Sequence, residues 1–143
     1  MIDKEQLRGL VERTLQKYDG LYSDAAVNLV MGTIAQESAF GTYIRQVRGP
    51  ALGISQVERP TFEWLKSVYA EKYGLHGITF ESLEWDLSAA ILFCRLRYRV
   101  DKNPLPDADD IPGLAMYWKR IYNTSLGRGN VVDFIKNYRK YIG

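Results

Sequence analysis

Glu37 falls on the apolar stripe of a helical segment. Projected at about 100° per residue, Val27, Val30 and Ile34 share one face, and Glu37 lands beside Val30 at its edge while Gln36 points to the opposite side. A carboxyl at a core margin loses hydration, lies near the negative end of its own helix and meets apolar walls, and all three raise its pKa. A carboxylic acid still protonated near neutral pH is what general-acid catalysis needs. The competing reading is a frayed helix end with Glu37 swung into solvent, and the stripe alone leaves both open.

The other titratable groups exclude whole reaction classes. With Cys94 as the single cysteine no intrachain disulfide can form, and with His76 as the single histidine no His-rich zinc site can be assembled. A Ser-His-Asp triad would have to use His76, which sits in the turn Gly74-Leu75-His76-Gly77, and no Gly-x-Ser-x-Gly elbow accompanies it. Cys94 lies inside an apolar helical run, not at a helix N-terminus where a thiolate is favoured. Neither a metal nor a cofactor is expected. If the chain is an enzyme, its carboxylates do the work.

The elements that must hold Glu37 are helical almost throughout. The chain has 143 residues, enough for a single domain over 1–143 with a core of its own, and its 46% hydrophobic and 25% charged residues are those of a globular protein. Asp3 with Gln6 resembles a capping box ahead of Leu7, Leu10, Val11 and Tyr18, a stripe that runs until Gly20. Ser23 suits the cap of the Glu37 helix. Pro60 suits the first turn of a third helix carrying Phe62, Leu65, Val68 and Tyr69 to a stop at Gly74. A fourth runs from about Leu83 or Asp86 to Val100, a fifth starts at Asp110 with Leu114, Ala115, Trp118 and Ile121, and a sixth opens at Asn130. Only residues 39–59 break the rhythm: glycines and Pro50 alternate with Ile44, Val47, Ile54 and Val57, as in a loop with one small hairpin. The fold class is therefore mainly α, with a small loop/β insertion after the Glu37 helix.

A net charge of +2 is too mild for nucleic-acid binding by electrostatics alone, although six basic residues from Lys119 onward face only Asp133. No apolar run approaches the roughly 18 residues of a membrane span, and Met1-Ile2-Asp3-Lys4-Glu5 has no apolar leader pattern. The expectation is synthesis in a cytoplasm without a signal peptide and no stable membrane insertion.

Three motifs succeed one another in order. Ala35-Gln36-Glu37-Ser38-Ala39-Phe40-Gly41 comes first, then Gly49-Pro50-Ala51-Leu52-Gly53-Ile54-Ser55-Gln56, then Tyr122-Asn123-Thr124. Together they resemble the lytic transglycosylases of the goose-type lysozyme superfamily, most of all the small tailed-phage members, over a stretch from about Ser23 to the end. The resemblance implies a lysozyme-like helical domain in which Glu37 is the catalytic acid/base and Ser38 orients the acid or the substrate. It implies that Gly53, Ile54, Ser55 and Gln56 form the wall that meets the sugar N-acetyl group. Tyr122 would hydrogen-bond the Glu37 carboxylate, and Asn123 would contact the sugar chain. Ser55 departs from the usual methionine or aromatic, and Thr124-Ser125-Leu126-Gly127 from the compact Ala-Gly ending. The implied partner is the peptidoglycan glycan strand. The implied place of action is the cell wall, reached after release from the host cell or inside a particle beside other virion proteins.

Residues 38–57 contain no Asp or Glu; their charges are Arg45 and Arg48. Glycoside hydrolysis usually takes two carboxylates. With one, the economical route is intramolecular: Glu37 protonates the glycosidic oxygen, then as carboxylate takes the proton of the muramic C6 hydroxyl, closing a 1,6-anhydro ring. A nucleophile already attached to the reacting sugar has a high effective concentration. The alternatives are a hydrolytic muramidase, with Glu58 or a distant aspartate positioning water, and a catalytically silent wall-binding or virion module. Arg45 and Arg48 read either as solvated surface or as forks for muramic lactyl or peptide-stem carboxylates. Trp64, Trp85 and Trp118 read as core.

Overall fold

Local capping chemistry starts most of the helices. Side-chain oxygens of Asp3, Ser23, Asp86, Asp110 and Asn130 each accept the backbone N–H three residues on, which satisfies a donor the helix itself leaves free. These caps open α1 (Lys4–Gln16), α2 (Asp24–Ser38), α4 (Leu87–Arg99), α5 (Ile111–Tyr117) and α6 (Val131–Tyr141). The remaining helix, α3 (Arg59–Tyr73), starts on Pro60 in its first turn and stops at Gly74, whose φ of 68° is left-handed. The computed structural model describes all residues, Met1–Gly143, and contains no sheet. Leu83 belongs to a separate 3-10 turn, Glu81–Glu84, and a π-helical turn over Trp118–Asn123 continues α5.

The core is built around α2 and α4. From Leu29 to Ala35 every residue of α2 is buried, and so is every residue of α4 from Ala89 to Leu96. These helices pack on each other and on α1; α2 also meets α5 and α6, and α4 meets α3. Gly32 permits the close approach of α6, because a Cβ there would run into Phe134 and Tyr138. The Glu37 helix is thus not an amphipathic surface helix with one stripe. It is a central helix whose last turn alone reaches the margin.

The hairpin expected within residues 39–59 reduces to two isolated antiparallel bridges, Arg45 with Leu52 and Leu52 with Val57. Trp64 and Trp85 are not core: they are 42% and 69% exposed, and the Arg97 guanidinium lies 5.2 Å from the Trp64 ring. Stacking under a cation lets an indole keep apolar contact at the surface. Val68 is also exposed, on the outer side of α3. Trp118 is fully buried, as expected.

Candidate functional site

The last turn of α2 carries Glu37 to the Trp118 indole. Its Oε2 accepts a hydrogen bond from the indole Nε1–H of Trp118 at 3.1 Å, and no other protein hydrogen bond engages the carboxyl. Burial pushes the Glu37 pKa up to about 7, while the indole N–H, which favours the carboxylate, pulls the other way. The burial effect is the larger. Near neutral pH the group therefore exists in both protonation states, with Oε1 free of protein partners.

Behind Glu37 lies a buried polar layer between α2, α4 and the π turn. Thr33 Oγ1 donates to the Leu29 carbonyl at 2.7 Å, so the Tyr98 hydroxyl, 2.7 Å away, donates to Thr33. The Tyr98 ring stacks on Tyr122 with centroids 5.3 Å apart. The fully buried Cys94 thiol is pushed up to about 12 by burial above all, which leaves it protonated and unreactive. Burial first, then Cys94 and Glu37 nearby, hold the Tyr122 hydroxyl well above the usual phenol range.

Tyr122 does not take the partner expected of it. Its hydroxyl donates to the Ser55 carbonyl at 2.6 Å, and the donor on Glu37 is Trp118. The π turn is the physical reason. A wider turn changes the rotation between positions 118 and 122, and Thr124 N–H bonds the Lys119 carbonyl at 2.7 Å in the π pattern. The resemblance that paired Tyr122 with Glu37 carries no information about this turn. A clue did exist: a buried indole N–H needs an acceptor, and Glu37 is an acid at the core margin.

Ser38 likewise makes no hydrogen bond to Glu37. It is buried, its Oγ donates to the Ile34 carbonyl at 3.0 Å, and that same oxygen accepts the Gly41 N–H at 2.9 Å. Its work is to close the helix end. The segment Gly53–Gln56 is a turn locked at both ends, with Leu52 and Val57 exchanging backbone bonds of 2.9 and 3.0 Å. Gly53 is required here: its φ is 82°, and a Cβ would run into the Leu83 carbonyl. Ile54 and Ser55 are buried, and Ser55 Oγ donates to the Ala90 carbonyl at 3.0 Å. The Gln56 amide folds back onto the Gly53 carbonyl at 2.9 Å. Ile54 and Ser55 therefore anchor this turn from beneath, and their side chains are not exposed for a sugar to touch.

Asn123 Oδ1 accepts from the Lys119 ammonium at 2.7 Å, which turns the side chain toward its own turn, and its NH2 makes no protein hydrogen bond. Arg45 and Arg48 are exposed in the loop Thr42–Gly49, which lines an open concavity of about 570 Å³. Glu37 does not line it, although the Gly53 N–H ties the loop to the turn through the Ile44 carbonyl at 2.7 Å. Glu58 is exposed at the start of α3 and makes no capping bond. No three His, Cys, Asp or Glu side chains gather where they would hold a metal ion, and no helix is long and apolar enough to cross a membrane. No protein-family model, no curated protein and no solved structure matches the chain.

Proposed function

We propose that the chain is a lytic transglycosylase that cleaves the β-1,4 bond between N-acetylmuramic acid and N-acetylglucosamine in peptidoglycan, with Glu37 as its single acid and then base. The observation that carries this reading is the state of Glu37: a half-buried carboxyl raised to about 7, held on one oxygen by Trp118. An acid-then-base cycle needs a group for which neither protonation state is costly at working pH. Oε1 carries the proton to the glycosidic oxygen as the C1–O4 bond breaks. The substrate's own N-acetyl oxygen stabilises the positive ring, and the Glu37 carboxylate then removes the C6 hydroxyl proton as O6 closes on C1. Atoms balance with no water consumed. The absence of Asp and Glu from residues 38–57 and the outward position of Glu58 favour this route over hydrolysis. The Gly53–Gln56 turn, fastened to Tyr122, would serve as the wall of the groove, and Arg45 and Arg48 as contacts for lactyl or peptide carboxylates.

Mass spectrometry of digested peptidoglycan tests the reading. The products should end in 1,6-anhydro-muramic acid, lighter than the reducing-end products of hydrolysis by one water. Glu37→Gln should abolish their release, because the amide has no acidic proton to give. Reducing ends alone would assign hydrolysis, and an active Glu37→Gln would remove Glu37 from the chemistry.

A further inference from the structure

The geometry points to Lys119 as a positioning residue for Glu37: its ammonium fastens the loop 124–130 against the Trp118 indole, and that wedge sets how the indole N–H meets the carboxyl. The inference rests on Glu37 being the acid, and it adds a residue that touches neither Glu37 nor the groove wall.

Lys119 Nζ donates to Asn123 Oδ1 at 2.7 Å, to the Gly127 carbonyl at 3.1 Å and to the Gly129 carbonyl at 2.7 Å. An ammonium has three protons, so its donor capacity is spent on Asn123, the last residue of the π turn, and on two carbonyls of the loop that follows. The side chain is partly buried and makes no ion pair. It therefore serves neither as a free surface charge nor as an open substrate contact. The loop it holds leaves the π turn at Thr124, whose φ of 68° is disfavoured for a β-branched residue and has to be held by its surroundings. At the far side the loop backbone lies on the indole: a Cβ on Gly129 would fall 2.6 Å from Trp118 Cη2. The Phe134 ring flanks the same indole with centroids 5.3 Å apart. An indole is rigid, so contact on its six-membered ring fixes the direction of Nε1–H at the other end. That N–H is the one protein donor on Glu37. Lys119 and Trp118 are chain neighbours with opposite directions, one out to the loop and one into the core. The lysine thus reaches the acid through packing.

The experiment reads the titration of the Glu37 carboxyl by carbon-13 NMR in the parent, Trp118→Phe, Lys119→Met and the double variant, with no substrate present. Trp118→Phe should raise the midpoint, because the N–H that favours the carboxylate is gone. Lys119→Met should move it the same way by about half as much, and should add nothing once Trp118 is Phe. In peptidoglycan turnover Lys119→Met should lower kcat about tenfold with KM within about twofold, and its alkaline limb should track the NMR midpoint. If Lys119→Met does not fold, Lys119→Gln, which keeps two amide protons for the loop, replaces it with the same expected sign. An unchanged Glu37 midpoint alongside a lowered melting temperature would make Lys119 purely structural and overturn the proposal. An equal shift in the Trp118→Phe background would overturn it as well, since the coupling would then bypass the indole. The NMR coupling is read independently of turnover, so an inactive parent would count against the functional reading and leave the coupling standing.

Discussion

The Tyr122 hydroxyl holds the Ser55 carbonyl at 2.6 Å across 67 positions of chain, while its ring lies on Tyr98. Tyr122→Phe keeps the stacking and strands a buried carbonyl, which should cost about 1–2 kcal/mol in denaturant unfolding. Turnover should fall severalfold as the Gly53–Gln56 turn loosens, with the pH midpoint of the rate unchanged, because the acid has lost no donor. A midpoint that moves as far as in Trp118→Phe would mean that the hydroxyl does reach Glu37. The place of the Glu37 carboxyl at the core margin was legible in the chain, since a carboxylate in step with Val30 and Ile34 has few places to go. The partner of Tyr122 was not. A hydroxyl's acceptor is chosen by tertiary packing, and nothing local in the sequence names a carbonyl that far away. Ser38 shows the same limit: the family resemblance implied a role in orienting the acid or the substrate, whereas its bonds to Ile34 and Gly41 make it a helix stop.

Where α2 ends, the chain turns through three consecutive left-handed residues: Ala39 at φ 49°, Phe40 at 56° and Gly41 at 80°. Only glycine adopts this region freely, and each other residue pays roughly 1–2 kcal/mol. The turn is kept by the Ile2 N–H on the Phe40 carbonyl at 3.0 Å, by Ser38, and by the buried Phe40 ring stacked on Tyr141 with centroids 5.6 Å apart. Ala39→Gly should therefore raise stability by about 0.5–1 kcal/mol after the added freedom of the unfolded chain is subtracted. Gly41→Ala should lower it by at least about 1 kcal/mol, since a Cβ would meet Ile2 at an unfavourable φ. Chemical melts of the pair give opposite signs if the turn is strained as described. Helix starts were legible here because Asp3, Ser23, Asp86, Asp110 and Asn130 act over three residues. The π turn was not, because a single wide turn leaves Leu114, Ala115 and Trp118 in helical register and shifts only the residues beyond them. The insertion was legible as irregular, yet its bridges and the Gly53 turn depend on backbone bonds that composition does not encode.

At the scale of the whole molecule, Glu37 couples its own titration to global stability, because it ends a central helix that packs on four others. Its pKa is about 7 in the folded chain against an ordinary value of 4.5. Between those values the folded state binds the extra proton, so stability is fully present below about pH 4.5 and is lost as pH rises through about 7. The unscreened shift corresponds to about 3 kcal/mol, and partial exposure of the carboxyl reduces it to ~2 kcal/mol. Glu37→Gln keeps an acceptor for the Trp118 N–H and cannot ionise. The difference in unfolding free energy between this variant and the parent cancels every other titrating group. That difference should be small at pH 4.5 and should grow in the variant's favour to ~2 kcal/mol by pH 8, a rise in melting temperature of about 5 °C or more. A parent and variant whose stability curves stay parallel from pH 4.5 to 8 would place the Glu37 carboxyl in water and remove the raised pKa on which an acid-then-base role depends. A divergence of the opposite sign would mean that the ionised carboxylate is stabilised in the fold, as in an ion pair, a state that could not donate a proton near neutral pH.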